Sequence, residues 1–277
     1  MKVKFELKSS GYCESKKNHA LSGGAKKTIK FFATYAHIIH PIHGHILFDT
    51  GYTKRFYEGT QKLPFSIYAK VTKVYVEEKE ETVTVLQQLG IAPDDIKYII
   101  ISHFHADHIG GLKDFPNAKF ICSKAAWEDV RHRSGISALR RAFIPSLIPS
   151  DFHNRVQMVE ISRSDIEVEH LGKVIDLFSD GSILLCQLEG HAKGQIGALI
   201  ETENEQVFMV ADAAWLRENY QDMHLPNPIV KLFFDSWDNF RDSLQRVHNF
   251  HLANPKTVII PCHCEATFNE FNKVVSL

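Results

Sequence analysis

The residues best suited to chemistry fall in one short segment, His103-Phe104-His105-Ala106-Asp107-His108. It holds four groups of the kind that bind metal ions: three imidazoles and a carboxylate. His103 and His105 are two apart, so on extended backbone they project the same way. Asp107 and His108 are adjacent and share that direction only if the chain turns. The spacing therefore suits two neighbouring metals better than one. Gly110-Gly111 follow, where the absence of a Cβ lets the backbone pack closely at the start of a helix. Three more ligand-type residues close apolar runs further on: His191, Asp212 and His263. Each alone reads as easily as a capping or surface residue; together and in this order they complete a site.

The elements that position these residues follow from periodicity. Residues 96–101 are four isoleucines, a lysine and a tyrosine, a buried strand that runs straight into the histidines. Alternating or β-branched runs predict further strands at 2–7, 30–40, 45–49, 118–122, 174–178, 183–188, 196–202, 207–210 and 257–260. Helices are expected at 81–89, with Gly90 as its stop, at 124–130 and at 237–252. Residues 134–152 have mixed helical character and two prolines, which suggests an inserted cap within about 130–155. No repeat or linker-like stretch breaks the chain, so residues 1–277 read as one domain. Strands in both halves with helices between them predict an α+β fold, two sheets packed face to face with helices outside.

Composition narrows the function classes. The 277 residues carry 32 basic and 33 acidic side chains, a net charge of -1. That balance gives no general attraction to nucleic acid or to anionic membranes. The basic cluster Arg131, Arg133, Arg140 and Arg141 is small and reads as a solvated helix face. The N-terminus has no apolar h-region, and no run is long enough to span a bilayer. Five scattered cysteines, Cys13, Cys122, Cys186, Cys262 and Cys264, fit reduced thiols in a cytoplasm.

The motif His103-x-His105-x-Asp107-His108, followed by His191, Asp212 and His263, resembles the metallo-β-lactamase superfamily. Phe48-Asp49-Thr50-Gly51, the turn after an early strand, adds to the resemblance, which spans about residues 30 to 263. It implies an αββα sandwich with metals at one edge of the two sheets. It assigns His103, His105 and His191 to a first metal, Asp107, His108 and His263 to a second, and Asp212 to a bridge between them. The bridging Asp places the chain nearer the lactonase, glyoxalase II and phosphodiesterase branches than the true β-lactamases. Two Zn²⁺ ions suit the all-His/Asp set, with iron or manganese as competitors. The implied reaction is hydrolysis of an ester-type bond by a hydroxide between the metals, with Asp107 orienting it or receiving a proton. A lactone with an acyl chain, such as an N-acyl-homoserine lactone, is the leading substrate. A glyoxalase II-like thioester or a phosphodiester is the alternative, and a metal-binding scaffold or sensor the non-enzymatic one.

The remaining candidates are secondary. Acyl-homoserine lactonases often place a Tyr three residues after the bridging Asp; here that position is Trp215, whose indole N–H donates but which lacks a phenol. Tyr220 replaces that Tyr only if the local chain folds back. Phe104 and the aromatic residues of 62–75 and 143–152 read as core residues or as walls of an acyl pocket. Cys262 and Cys264 flank His263 and, on extended backbone, point away from it as packed small hydrophobes. His37, His40, His43 and His45 suit structural or surface roles, and Asp49 a turn former or a partner behind the ligands.

Overall fold

The computed structural model describes residues 1–275. Among the described residues thirteen strands form two sheets. They are β1 (Lys4–Lys16), β2 (Thr28–His40), β3 (Gly44–Phe48), β4 (Val74–Tyr75), β5 (Ile96–Ile100), β6 (Lys119–Ser123), β7 (Val156–Val159), β8 (Ile166–Val168), β9 (Gly172–Asp176), β10 (Ile183–Gln187), β11 (Ile196–Glu201), β12 (Gln206–Met209) and β13 (Val258–Ile260). The first sheet runs β4-β1-β2-β3-β5-β6-β7 and the second β13-β12-β11-β10-β9-β8. Both are mixed: β3, β5, β6 and β7 are mutually parallel, as are β12 and β13, and the other pairs are antiparallel.

Side-chain alternation builds three apolar layers from these two sheets. Ile38, Ile46, Phe48, Ile100 and Ile121 of the first sheet meet Ile183, Leu185, Ala198, Ile200, Val207, Met209 and Ile260 of the second in a shared core. Their neighbours point outward. Leu47, Ile99 and Phe120 pack under the helices on one side. Cys186, Leu199, Phe208 and Ile259 pack under Phe240, Leu244, Val247 and Phe250 of the helix Trp237–Ala253 on the other. The result is the αββα sandwich expected from the sequence.

The strand expected at 2–7 continues to Lys16, bent by a register shift between Ser9 and Tyr12. β4, β7 and β8 were not expected. The helix Thr82–Gln88 stops where Gly90 takes φ +79°. Residues 134–152 contain the helix Gly135–Leu139 and the 3₁₀ turn Pro145–Leu147, and bury Phe143, Ile144, Leu147 and Phe152. Among the described residues no helix is long and apolar enough to cross a membrane.

Topology decides where ligands can gather. β3 and β5 are parallel, so Asp49 and His103, just past their C-terminal ends, lie at one edge. β10, β12 and β13 also point one way, because β10 and β12 each run antiparallel to β11 and β13 runs parallel to β12. His191, Asp212 and His263 follow those three ends. The Ile196 N–H donates to the Ser102 carbonyl at 3.0 Å and fastens the two edges together.

Candidate metal centre

Behind the ligands stands Asp49. It sits at φ +61°, a conformation costly for a non-glycine residue, immediately after β3. Its carboxylate accepts from the Ser102 N–H at 2.8 Å, the Ser102 hydroxyl at 2.7 Å and His108 Nδ1 at 2.7 Å. The last bond fixes the His108 proton on Nδ1 and leaves Nε2 free to face inward. His263 is held the same way, its Nδ1 donating to the Phe32 carbonyl at 2.7 Å. The turn after His105 becomes the short helix Ala106–Ile109. It lies so close to the loop after β3 that a Cβ on Gly110 would meet the Gly51 carbonyl oxygen at 2.5 Å.

All seven ligand candidates converge. Donor atoms of His103, His105 and His191 lie within 4.8 Å of one another, as do those of His108, Asp212, Cys262 and His263. Asp107 Oδ2 is 3.5 Å from His108 Nε2 and 3.6 Å from His263 Nε2, which places it with the second group. Asp212 reaches both groups: Oδ2 is 3.1 Å from His191 Nε2, and Oδ1 is 3.2 Å from His108 Nε2. It follows Ala211, another non-glycine residue at positive φ (+47°), at the end of β12. The Nε2 atoms of His103 and His108 are buried without a hydrogen-bond partner. Buried imidazole nitrogens left open beside carboxylates are what a metal site requires, and the donor set fits zinc.

The electrostatics agree. Burial holds His103 well below its usual pKa and brings His105 to about 4 and His191 to about 3, so these three are neutral imidazoles near pH 7. Burial opposes ionisation of Asp212, yet His263, His191 and His108 outweigh it and keep the carboxylate charged. Burial also works against a charge on His108 and His263; Asp107 and Asp49 around the first, and Asp212 and Asp107 around the second, overcome it and raise both. This half of the site attracts positive charge.

Three expectations need correction or refinement. Cys262 does not point away from His263. The chain turns after Ile260 instead of staying extended, and Cys262 Sγ donates to Asp212 Oδ1 at 2.7 Å. Cys264 is packed in the core as expected. Tyr220 does not reach the ligand cluster. The helix Arg217–Gln221 turns it into the core layer beneath the second sheet, edge-on to His251 at 5.1 Å. Trp215 does lie at the site, but its Nε1 donates to Asp212 Oδ2 at 2.9 Å. Its indole therefore braces the carboxylate between the two groups.

A narrow crevice leads to His105 and His191, walled by Phe104, Val130, Arg141 and Phe233. Arg141, from the expected cap, is held there by Asp129 at 3.1 Å and Asp235 at 2.7 Å. Arg141 was expected on a solvated helix face and Phe233 was not singled out, because only the folded chain brings their segments to the same opening. A larger cavity of about 470 Å³ lies beside the crevice and shares Asp129 and Lys193, but none of the seven ligand candidates lines it. In the second histidine cluster, His40 has a structural role. His40 Nδ1 accepts from the N–H groups of Ile42 and His43, so its proton sits on Nε2 and donates to Asp180 at 3.0 Å. That leaves no lone pair for a metal.

Fold and site together define a class: residues 30–253 match the metallo-beta-lactamase superfamily, and the chain belongs to it. Within that class it is similar to an N-acyl homoserine lactonase of Bacillus cereus. The two are 30% identical over 199 residues, which cover 68% of this chain and 66% of that relative. The AttM lactonase of Azorhizobium caulinodans is 27% identical over a similar span. Among solved structures, an N-acyl homoserine lactone hydrolase with N-hexanoyl-L-homoserine at its metal centre superposes with a TM-score of 0.75. It is 22% identical and covers 98% of this chain and 97% of its own. AidC, a dizinc quorum-quenching lactonase, superposes at 0.66, with 18% identity over 95% of this chain and 88% of its own.

Proposed function

We propose that the chain is a two-metal hydrolase that opens an ester-type bond, with an acyl-chain lactone of the N-acyl-homoserine kind as substrate. The observation that carries this reading is Asp212, one carboxylate within 3.2 Å of imidazoles from both ligand groups. His103, His105 and His191 would hold one zinc ion, and Asp107, His108 and His263 the other, with Asp212 spanning them. When bound, such a pair supplies a water made acidic enough to ionise near neutral pH and a positive charge to polarise the ester oxygen. Iron or manganese would suit the same nitrogen and oxygen donors less selectively.

The chain's own groups supply position and proton handling. Asp49 and the Phe32 carbonyl fix the inward faces of His108 and His263. Trp215 holds Asp212 in its spanning orientation. Asp107, at 8% exposure the most open of the buried ligands, is placed to orient the attacking water or take its proton. Phe104 and Phe233 offer an apolar wall for an acyl chain, and Arg141 a donor for a carbonyl at the mouth. Residues 130–155 act as the cap on one domain spanning residues 1–277. Five buried, unpaired cysteines suit the reducing cytoplasm.

The test is a panel of acyl-homoserine lactones, thioesters, phosphodiesters and β-lactams offered to zinc-loaded protein. Lactone opening should exceed the other classes in kcat/KM. Preferred thioester turnover would move the reading to a glyoxalase II-like enzyme. Two bound metals without turnover of any class would leave a metal-binding scaffold or sensor.

A further inference from the structure

β13 stops at Ile260, and the turn that follows carries Cys262 Sγ into the second ligand group. There the sulfur lies 2.7 Å from Asp212 Oδ1, on a residue only 2% exposed. His108 Nε2, in the same group, is buried and has no hydrogen-bond partner. Donor atoms of two imidazoles, a carboxylate and a sulfur thus lie within 4.8 Å of one another, each of a type that binds a borderline-soft cation. By contrast, Cys13, Cys122, Cys186 and Cys264 are packed in apolar clusters.

We propose that Cys262 is a sulfur ligand of the metal held by His108 and His263. This rests on the two-metal reading above. Binding forms a sulfur–metal bond and releases the thiol proton to solvent; nothing is oxidised or reduced. The two positions then differ in kind. The one at His103, His105 and His191 is nitrogen-rich, whereas the one at Cys262 is thiophilic. It should favour zinc, cobalt or cadmium over manganese or magnesium.

Cobalt titration of the metal-free protein, followed by absorption, tests this together with X-ray absorption at the zinc edge. A sulfur-to-cobalt charge-transfer band in the near ultraviolet should grow with only one of two bound equivalents. It should vanish in Cys262→Ser and persist in Cys264→Ser. The zinc edge of the unmodified protein should show a sulfur scatterer at about 2.3 Å, which decides the matter even if the serine variant does not fold. Two bound metals with only nitrogen and oxygen neighbours would overturn the proposal and leave the two-metal reading standing. A sulfur band at a single bound equivalent would keep Cys262 as a ligand and remove the two-metal reading.

Discussion

Asp49 is buried behind the candidate ligands, where it aligns His108 and accepts from both donors of Ser102. Partners behind a metal-ligating histidine set its tautomer and basicity. Asp49→Asn should therefore weaken metal binding at the second position about 10–100-fold, as read by competition with a chelating dye. Unchanged affinity would mean that Asp49 serves only the turn. The convergence of the seven candidate donors was legible in the sequence because metal chemistry admits few residue types and the strand ends supply the context. The placement of Cys262 and Tyr220 was not. Where a side chain points just beyond a regular element depends on one or two backbone dihedrals. Those dihedrals are set by packing, and no spacing rule reports them. Trp215 shows the same limit: its position was legible, but its bond to Asp212 required the folded loop.

At the scale of elements, the centre depends on the helix Ala106–Ile109 lying directly against the loop after β3. Gly110→Ala would drive a methyl group into the Gly51 carbonyl, which is backbone and cannot swing aside. The expected cost is about 1–3 kcal/mol, seen as a lower denaturation midpoint with an unchanged slope. A wild-type midpoint would show that the two segments separate freely. The core strands were legible because both of their faces are buried and their residues are apolar or β-branched. The second half of β1, KSSGYCESK, is too polar to show alternation. β7 and β8 are short, and each lies at the outer end of its sheet, where only one neighbour fixes it. Their pairing comes from tertiary context.

For the whole molecule, the ligand cluster links stability to pH. Burial lowers the folded pKa of His105 and His191 to about 4 and 3, below the unfolded value near 6.5. Their contribution is complete above pH 6.5 and is lost as pH falls toward those values. His108 and His263 shift upward, so their contribution is complete below pH 6.5 and is lost as pH rises through their folded values. Metal-free protein should thus be most stable near pH 6.5, and its Tm should drop on acidification toward pH 4. A Tm that is flat or rising over that interval would contradict the histidine assignment. Bound metal, which requires neutral imidazoles and ionised carboxylates, should raise Tm throughout the neutral range.

The ligand set gathered around Asp212 would hold two metal ions, and hydrolysis should depend on both. The most direct test adds zinc stepwise to metal-free protein while the opening of an N-acyl-homoserine lactone is followed. Turnover should be absent without metal and should level off at two zinc ions per chain. Full turnover in metal-free protein, or a plateau at one ion, would contradict this dependence on two metals.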